Sequence, residues 1–330
     1  MSYADNVFIK NISDILNHGI SDEKLIVRPH WEDGTPAHTT SLFGVVNRYD
    51  LSKEFPILTL RRTFWKSALD EILWIYQKKS NSIHELGSHV WDQWADENGT
   101  IGKAYGYQLS VKHRVNGIDL NKAQDLFGTD AVVKVELPDH LFHLSKDSSE
   151  IESYVNQQAK PAHVAVSSNG NVWMDQVDHM LYDLKFNRAS RRIMTTTWNP
   201  TDAVDMGLEP CAYSMTFNVK GNKLNAILNQ RSQDMIAASA WNTCQYAFLV
   251  LILCHIFSYE PGEFVHVIGD CHIYDRHIEL AKEIIANRSF DAPKVTFDPD
   301  VHNFYQVTKN SFTLENYLYS DFSKVIPIAI

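Results

Sequence analysis

The segment between Pro210 and Tyr274 holds several side chains that can carry out chemistry, set among apolar, strand-like runs. They are Cys211, Arg231, Ser232, Asp234, Asn242, His272 and Tyr274. A thiol becomes a nucleophile when nearby positive charge favours its thiolate, and an arginine fork binds anions well. The set could therefore form a covalent bond, hold an anion and read a flat heterocycle.

Cys211 is the candidate nucleophile. It follows Pro210 and precedes a predicted strand, so we expect it at a strand edge, with Arg231 returning to its side and favouring an ionised sulfur. The alternative is a buried thiol that behaves as a small hydrophobic group. That alternative holds outright for Cys244 and Cys254, which lie on an apolar predicted helix, whereas the residues alone leave Cys211 open.

Several arginines could bind a phosphate. Arg231-Ser232 combines a forked donor with a hydroxyl, and Arg28, Arg191 and Arg192 are further candidates. A solvated surface charge is the alternative for each of them. Consecutive strand residues point to opposite faces. If Arg191 and Arg192 lie on a strand, they serve one ligand only where the chain twists or one of them crosses a subunit boundary.

Asn242 and Glu71 offer base recognition and proton transfer. The Asn242 amide has a donor and an acceptor that match the N3–H and C4 carbonyl of uracil, a pattern that cytosine reverses. Asn242 could equally be the N-cap of the apolar helix that follows. Glu71 shares an apolar helical stripe with Ala68 and Ile75, which would desolvate its carboxyl for proton transfer, unless it lies at the helix flank.

His272 and Tyr274 alternate on a strand-like run that follows Gly269-Asp270. Side chains at alternate positions of a strand share a face. The two could bind a sugar hydroxyl, or they could be core polar groups with partners inside the protein.

Composition excludes some classes of protein. The chain has 330 residues, 44% of them hydrophobic, and a formal net charge of −10 without a dense basic run. These values fit a folded globular protein and oppose wrapping of a DNA duplex. Four cysteines without a CxxC pair indicate reduced thiols rather than a disulfide framework or a metal site.

The sequence predicts a cytoplasmic protein. The first residues lack the basic start and apolar run of a signal peptide. The most apolar run, residues 247–257, is too short to cross a bilayer and is typical of a buried helix.

Helical and strand patterns alternate along the chain, which predicts a mixed α/β or α+β fold. Helices are predicted over residues 8–16, 64–77, 175–184, 242–257 and 278–285, and strands over 41–46, 192–198, 215–219, 224–228 and 264–268. A turn is predicted at residues 260–262. Residues 111–172 are more polar and acidic, and we interpret them as an inserted subdomain or elaborated surface loop within one catalytic domain spanning 1–330.

Longer motifs join this set in an order that resembles the thymidylate synthase family over nearly the whole chain, except for residues 111–172. The additional motifs are Trp91-Asp92-Gln93-Trp94, Ala104-Tyr105-Gly106, Ser190-Arg191-Arg192-Ile193, Pro261-Gly262-Glu263-Phe264 and the terminal Pro327-Ile328-Ala329-Ile330. The resemblance implies a large mixed β-sheet flanked by helices, and a homodimer. It also implies conversion of dUMP to dTMP with 5,10-methylenetetrahydrofolate as co-substrate, without a metal.

The resemblance also implies roles for individual residues. The catalytic residues would be Cys211, which adds to the uracil C6, with Glu71 in proton relay and Tyr105, Arg231, Asp234 and Asn242. The dUMP-binding residues would be Arg28, Arg231, Ser232, Asp234, Asn242, His272 and Tyr274, with Arg191 and Arg192 supplied by the partner subunit. The folate-binding residues would be Trp91, Trp94, Asp234 and Ile330.

The chain departs from the family pattern at a few places. Ala212 stands where many members have a histidine, and the word Ala237-Ala238-Ser239-Ala240-Trp241-Asn242 replaces the usual Leu-Gly-x-Pro-Phe-Asn. Arg61 occupies a position often held by lysine, and Arg28 is the best match in a stretched phosphate loop.

Three other functions remain open on the residues alone. A pyrimidine nucleotide hydroxymethylase of similar fold would share these motifs but would add water instead of hydride. A Cys–His hydrolase could be built on Cys211 with His272 or His266, but it would need an oxyanion site that the sequence does not reveal. A non-catalytic RNA-binding protein is opposed by the acidic balance.

Overall fold

The computed structural model describes residues 1–142, 144–145 and 148–330. It divides the chain into unit 1, made of Met1–Leu73, Leu86–Ser88 and Cys211–Ile330, and unit 2, made of Trp74–Glu85 and His89–Pro210. The α-helices are α1 (Tyr3–His18), α2 (Trp65–Tyr76), α3 (Gly106–Ser110), α4 (Leu120–Phe127), α5 (Asp139–Phe142), α6 (Ser149–Gln158), α7 (Gln176–Phe186), α8 (Ser239–Phe257) and α9 (Ile278–Ala286).

The strands are β1 (Ile20–Ser21), β2 (Thr39–Asp50), β3 (His113–Val115), β4 (Val132–Val135), β5 (Val164–Ser167), β6 (Val172–Met174), β7 (Met194–Thr196), β8 (Ala212–Lys220), β9 (Lys223–Asp234), β10 (Glu260–Tyr274), β11 (Lys294–Phe297) and β12 (Phe312–Glu315). Five strands of unit 1 lie side by side in the order β1-β2-β10-β9-β8. Strands β9 and β10 run parallel, and the other neighbouring pairs run antiparallel. The predicted mixed sheet is therefore confirmed.

Local sequence explains how this sheet forms. The β8–β9 hairpin turns at Gly221, whose φ of 60° is a conformation that glycine adopts without steric cost. The parallel strands β9 and β10 cannot be joined by a tight turn, so the chain crosses between them through α8. The crossover brings the ends of β9 and β10 together at one edge of the sheet.

The core of unit 1 lies between this sheet and its helices. Apolar side chains of α1 and α9, such as Ile12 and Ile284, pack in one buried cluster with Ile268 and Ile273 of β10. Among the described residues, only α8 has the length and apolar composition that a membrane span would need, and 61% of that window is buried within the protein. A helix that is apolar on all sides and buried is typical of a core.

Unit 2 holds a second sheet, with strand order β3-β6-β5-β4. Val155 of α6 and Trp173 of β6 belong to one small core, and Ala123 of α4 and Tyr182 of α7 belong to another. Residues 111–172, as far as the structure describes them, thus form sheet and helix rather than an irregular loop. That they are an insertion within one catalytic domain stays a prediction.

Three local predictions are wrong. Helix α8 begins at Ser239 with Ala238 as its N-cap, so Asn242 lies inside the helix and is not its cap. Residues 260–262 are not a separate turn, because β10 runs without a break from Glu260 to Tyr274. The strand predicted over 192–198 is only Met194–Thr196, so Arg191 and Arg192 precede it, and the rule of alternating strand faces does not apply to them.

Candidate active site

Cys211 lies immediately before β8, and backbone pairing brings it beside Arg231 of β9. The Arg231 N–H donates to the Cys211 carbonyl over 2.8 Å. This hydrogen bond extends the antiparallel β8–β9 ladder by one residue beyond Ala212. The thiol and the guanidinium are therefore carried by adjacent, hydrogen-bonded strands, as the sequence suggests.

The charge state of Cys211 differs from the expected one. Burial raises the pKa of the Cys211 thiol, and the positive charges of Arg231 and Arg28 lower it only in part, so the pKa stays above the ordinary value. The expectation of a resting thiolate is therefore wrong, and the sulfur is protonated at neutral pH. The two arginines reduce the cost of ionisation, because an opposite charge nearby favours the charged form.

Arg28 lies in the exposed segment between β1 and β2, and Tyr274 ends β10. The pKa of Tyr274 is raised to about 12, first by burial, then by the negative charge of Asp234 and by the Cys211 thiolate that forms at alkaline pH, while Arg28 opposes the rise. Tyr274 is therefore a neutral phenol that can donate a hydrogen bond. The mutual effects of Arg28, Cys211 and Tyr274 indicate that these three groups share one local environment.

The parallel pairing of β9 and β10 aligns further predicted residues. Ser232 lies opposite Asp270, and Asp234 lies opposite His272. The His272 Nδ1 lies 2.8 Å from an Asp270 carboxylate oxygen, which can only accept from an N–H. In the neutral ring the His272 Nε2 is then an acceptor; it is buried and has no hydrogen-bond partner among the described residues. It is available to a ligand hydroxyl.

The Asn242 amide is held in one orientation by a chain of hydrogen bonds. The Gln230 Nε2 donates to the backbone carbonyl of Ser232 over 2.9 Å, and a carbonyl can only accept. The same nitrogen donates to the Asn242 Oδ1 over 3.2 Å, and the Asn242 Nδ2 donates to the Gln245 Oε1 over 3.3 Å. If the Asn242 amide were flipped, its Nδ2 would face the Nε2 of Gln230, and two donors would oppose each other. The orientation of Asn242 therefore follows from the Ser232 carbonyl that fixes Gln230.

His266 supports the other end of Gln230. Its Nε2 lies 2.9 Å from the Gln230 Oε1, and this oxygen must accept because the Gln230 nitrogen is already a donor. His266 is fully buried, which lowers its pKa to about 3 and keeps the ring neutral. A histidine whose pKa is lowered to about 3 is a weak base, which does not suit the proton acceptor that a Cys–His hydrolase would require.

Glu71 is buried on α2, at 5% exposure, as the helical stripe predicts. The indole N–H of Trp241 donates to its Oε2 over 2.9 Å. Trp241 and Asn242 are consecutive residues in the first turn of α8. The candidate proton-relay carboxylate and the candidate base-reading amide are therefore both tied to one helical turn.

Asp234 ends β9 and accepts hydrogen bonds from the backbone N–H groups of Ile236 and Ala237 at 2.8 and 3.0 Å. Burial opposes its charge, but His277, which lies 3.6 Å away, and these backbone donors hold the pKa of Asp234 below its ordinary value. Burial likewise opposes the charge of His277, yet the partnership with Asp234 raises the pKa of His277. Asp234 is therefore ionised. The nearby Arg61 is also buried, which lowers its pKa, although Asp234 opposes this.

The C-terminal residues are anchored to the same region of unit 1. The His277 Nε2 lies 2.8 Å from the carbonyl of Pro327. The backbone N–H and carbonyl of Ile330 both pair with His30, at 2.9 and 2.8 Å. The last residues are thus held in place by a histidine at either end, close in sequence to Arg28.

Five predicted residues belong to unit 2. Trp91 is buried with its ring 5.4 Å from Trp94 and 5.0 Å from Tyr105, and the Trp91 Nε1 has no hydrogen-bond partner among the described residues. Tyr105 has a φ of 44°, a conformation that costs a non-glycine residue energy and often marks a functional position. Arg191 and Arg192 are exposed between α7 and β7.

Sequence reasoning assigned no role to several residues that shape the site. Gln230, Gln245, Trp241, His266 and His277 were either unassigned or given other interpretations. Trp241 could have been identified from the sequence, because it stands in a motif that departs from the family pattern. His277 carried no such signal, since its partners Asp234 and Pro327 are far away along the chain. The glutamines carried none either, because their bonds to Ser232 and Asn242 depend on how β9 packs against α8.

Comparison with known proteins gives one consistent family. The sequence model described as thymidylate synthase matches residues 6–328. The chain is 38% identical to a thymidylate synthase of Bacillus phage phi3T and to thymidylate synthase 1 of Bacillus subtilis strain 168, over 97% of this chain and 97% of each relative. It is similar to the solved structure of thermostable thymidylate synthase A from Bacillus subtilis, with a TM-score of 0.78, 35% identity and full coverage of both chains.

The electrostatics of Cys211 predict how fast it is alkylated. Because its pKa is raised, modification by iodoacetamide will increase with pH through a midpoint above that of an ordinary cysteine. Arg231→Met removes a favourable charge, so the pKa will rise further and alkylation at pH 8 will slow by about tenfold. Mass spectrometry of the Cys211 peptide measures the rate. Arg48→Met, which loses an exposed pair with Glu263, is the control; equal rates in both variants would contradict a role for Arg231.

Proposed function

The chain belongs to the thymidylate synthase family and is a methyltransferase of that class, and we propose that Cys211 is the nucleophile with which it converts dUMP to dTMP. The observation that carries this assignment is the pairing of Cys211 with Arg231 on adjacent strands of the sheet. It supports a thiol and an anion-binding guanidinium acting on the two ends of one nucleotide.

The Cys211 sulfur loses its proton and adds to C6 of the pyrimidine, which makes C5 carbanion-like and able to attack a one-carbon unit. Loss of the C5 proton breaks the bond between the one-carbon unit and the folate nitrogen and leaves an exocyclic methylene group. Hydride transfer to this methylene forms the methyl group, expels the Cys211 sulfur and restores the ring double bond. 5,10-Methylenetetrahydrofolate supplies the carbon and the hydride and leaves as dihydrofolate. Covalent catalysis divides one difficult substitution into easier steps, and Glu71 relays protons at the pyrimidine.

The nucleotide is held by residues of unit 1. We propose that Arg231, Ser232 and Arg28 bind the phosphate, since guanidinium and hydroxyl donors suit its oxygens. The unpartnered His272 Nε2 accepts from a deoxyribose hydroxyl, and the neutral Tyr274 phenol donates. Asp234 contributes to both the nucleotide and the folate sides of the site.

Base recognition rests on Asn242. Its Nδ2 donates one hydrogen to Gln245, and its Oδ1 accepts from Gln230 over 3.2 Å and from Gln233 over 3.5 Å. We propose that a ligand uses the second Nδ2 hydrogen and takes the Oδ1 lone pair from the long Gln233 contact. Those two match the N3–H and the C4 carbonyl of uracil. The fixed orientation prevents the flip that cytosine would need, because Gln230 cannot accept from Asn242 in place of donating to it.

The folate co-substrate fits the residues that the family resemblance assigns to it. In unit 2, the aromatic rings of Trp91 and Trp94 offer a stacking surface, and the unpartnered Trp91 Nε1 offers a donor. In unit 1, the ionised Asp234 accepts hydrogen bonds from an amino-substituted ring. The anchored Ile330 helps to exclude water from the reacting atoms, and Tyr105 is proposed as a further catalytic residue.

We also propose a homodimer in the cytoplasm. Phe43 and Val46 of β2 and Ile227 of β9 are exposed, Phe43 at 95%, which supports an interface on this sheet. Arg191 and Arg192 are exposed as well and would reach the phosphate site of the partner subunit. The four free cysteines suit a reducing compartment.

Isotope release tests the proposed reaction. With dUMP labelled with tritium at C5, the protein will release tritium only when methylenetetrahydrofolate is present, and will form dTMP and dihydrofolate in equal amounts. Cys211→Ser will lower turnover by at least about a thousandfold while dUMP still binds, as judged by calorimetry. Product formation without dihydrofolate would indicate the hydroxymethylase reaction instead, and tritium release without any nucleotide product would reject the synthase.

Substitution of Asn242 tests base recognition. Asn242→Asp replaces the donor to the C4 carbonyl by an acceptor, so dUMP turnover will fall by about a hundredfold or more while dCMP binding improves. Competition of dUMP and dCMP for the protein measures the change in preference. An unchanged preference would mean that Asn242 does not face the base.

Mixed dimers test the role of Arg191 and Arg192. Cys211→Ser and the double variant Arg191→Ala/Arg192→Ala will each be inactive alone. Co-expression at equal levels will restore about one quarter of wild-type activity, because half of the dimers are hybrids and each hybrid has one complete site. If hybrid dimers form but remain inactive, the two arginines act within their own subunit.

A further inference from the structure

Trp241 stands in the motif over residues 237–242 that departs from the family pattern. The structure connects it directly to the proposed chemistry. Its indole Nε1 donates to the Glu71 Oε2 over 2.9 Å, across 170 residues of sequence. Both residues belong to unit 1, with Glu71 on α2 and Trp241 in the first turn of α8. A phenylalanine at position 241 would fill similar space but could not make this bond.

A buried carboxylate requires hydrogen-bond donors, because leaving it without them is costly in free energy. An indole N–H is a donor only, and its rigid ring fixes the direction of the bond. Hydrogen bonds to a charged acceptor are about twice as strong as neutral ones. The Trp241 indole therefore supplies a directed donor to the buried Glu71 carboxyl group.

The position of Trp241 in the helix adds a second consequence. Asn242 is the next residue, and its amide is fixed by Gln230 and Gln245. The same helical turn therefore fixes the amide proposed to read the base and, through the indole, the carboxylate proposed to relay protons. With Oε2 held, the Glu71 carboxyl group cannot rotate freely, and its oxygens keep a defined position relative to Asn242.

We propose that Trp241 is a positioning residue for the methylation reaction. It holds the Glu71 carboxylate at a fixed position relative to the base-reading amide of Asn242. The inference rests on the proposed function of Glu71 and Asn242. It predicts that loss of the indole N–H slows the chemical step and leaves nucleotide binding intact, because Trp241 acts through Glu71 rather than on the substrate.

The experiment compares wild type with Trp241→Phe and with a variant that carries 3-benzothienylalanine at position 241. The thienyl sulfur keeps the shape of the indole but removes its N–H. Both variants will lower kcat by about tenfold or more, which is less than the full contribution of a proton-transfer group. The Kd for dUMP will change by less than about twofold. The benzothienyl variant separates the hydrogen bond from packing, and it covers the case in which Trp241→Phe fails to fold.

A double-mutant cycle with Glu71→Gln tests whether the two residues act together. In the Glu71→Gln background, Trp241→Phe will lower kcat by less than about twofold, because the carboxylate it positions is gone. Trp173→Phe is the matched control: the Trp173 Nε1 donates to the Ser167 Oγ over 3.0 Å in the inserted segment, and its loss will leave kcat unchanged.

The outcomes separate this inference from the function on which it rests. If the wild type forms no dTMP, the proposed function fails and the cycle cannot be measured. If the wild type is active but the benzothienyl variant keeps full kcat, or the effects of Trp241→Phe and Glu71→Gln multiply independently, Trp241 has no positioning role. A rise in KM for dUMP without a change in kcat would also overturn the inference.

Discussion

The hydrogen bond from the Arg231 N–H to the Cys211 carbonyl, 2.8 Å long, is the contact on which the candidate site depends. It continues the β8–β9 ladder to the thiol, and β9 in turn pairs in parallel with β10. Through these two pairings the Cys211 sulfur, Arg231 and the face of β10 that carries His272 and Tyr274 acquire fixed relative positions. Because main-chain groups make the connections, the arrangement does not rely on flexible side chains.

Hydrogen bonds among buried polar groups fix the orientation and charge of several side chains in the site. The Gln230 amide has no choice of orientation, since one of its hydrogens must satisfy the Ser232 carbonyl. The Gln230 Nε2 therefore also donates to the Asn242 Oδ1, and the Asn242 Nδ2 in turn donates to the Gln245 Oε1. Asp234 behaves similarly, because backbone donors and His277 keep it charged in spite of burial. Hydrogen-bond satisfaction, rather than shape alone, thus determines the orientation of the Asn242 amide.

The sequence predicts chemistry and periodic elements well, and long-range pairing poorly. The family motifs and the apolar stripe of α2 identify the mixed sheet, the buried Glu71 and the thiol beside Arg231 correctly. Local rules fail where tertiary contacts override them. Asn242 resembles a helix cap but lies inside α8. Pro261-Gly262 resembles a turn but is absorbed into β10, because β9 pairs with Glu260 and Pro261 and the register shifts before Phe264. The raised pKa of Cys211 could not be foreseen, since burial is a property of the whole fold.

The adjacency of Trp241 and Asn242 constrains how this chain can evolve. A substitution that altered the preferred base at one position would shift the backbone turn that carries the other, and so would disturb the carboxylate on α2. Selectivity and rate are therefore not independent traits in this lineage. A change of side chain at position 242 would stand next to the indole that holds Glu71, so a new base preference and a new rate would arise on the same helical turn.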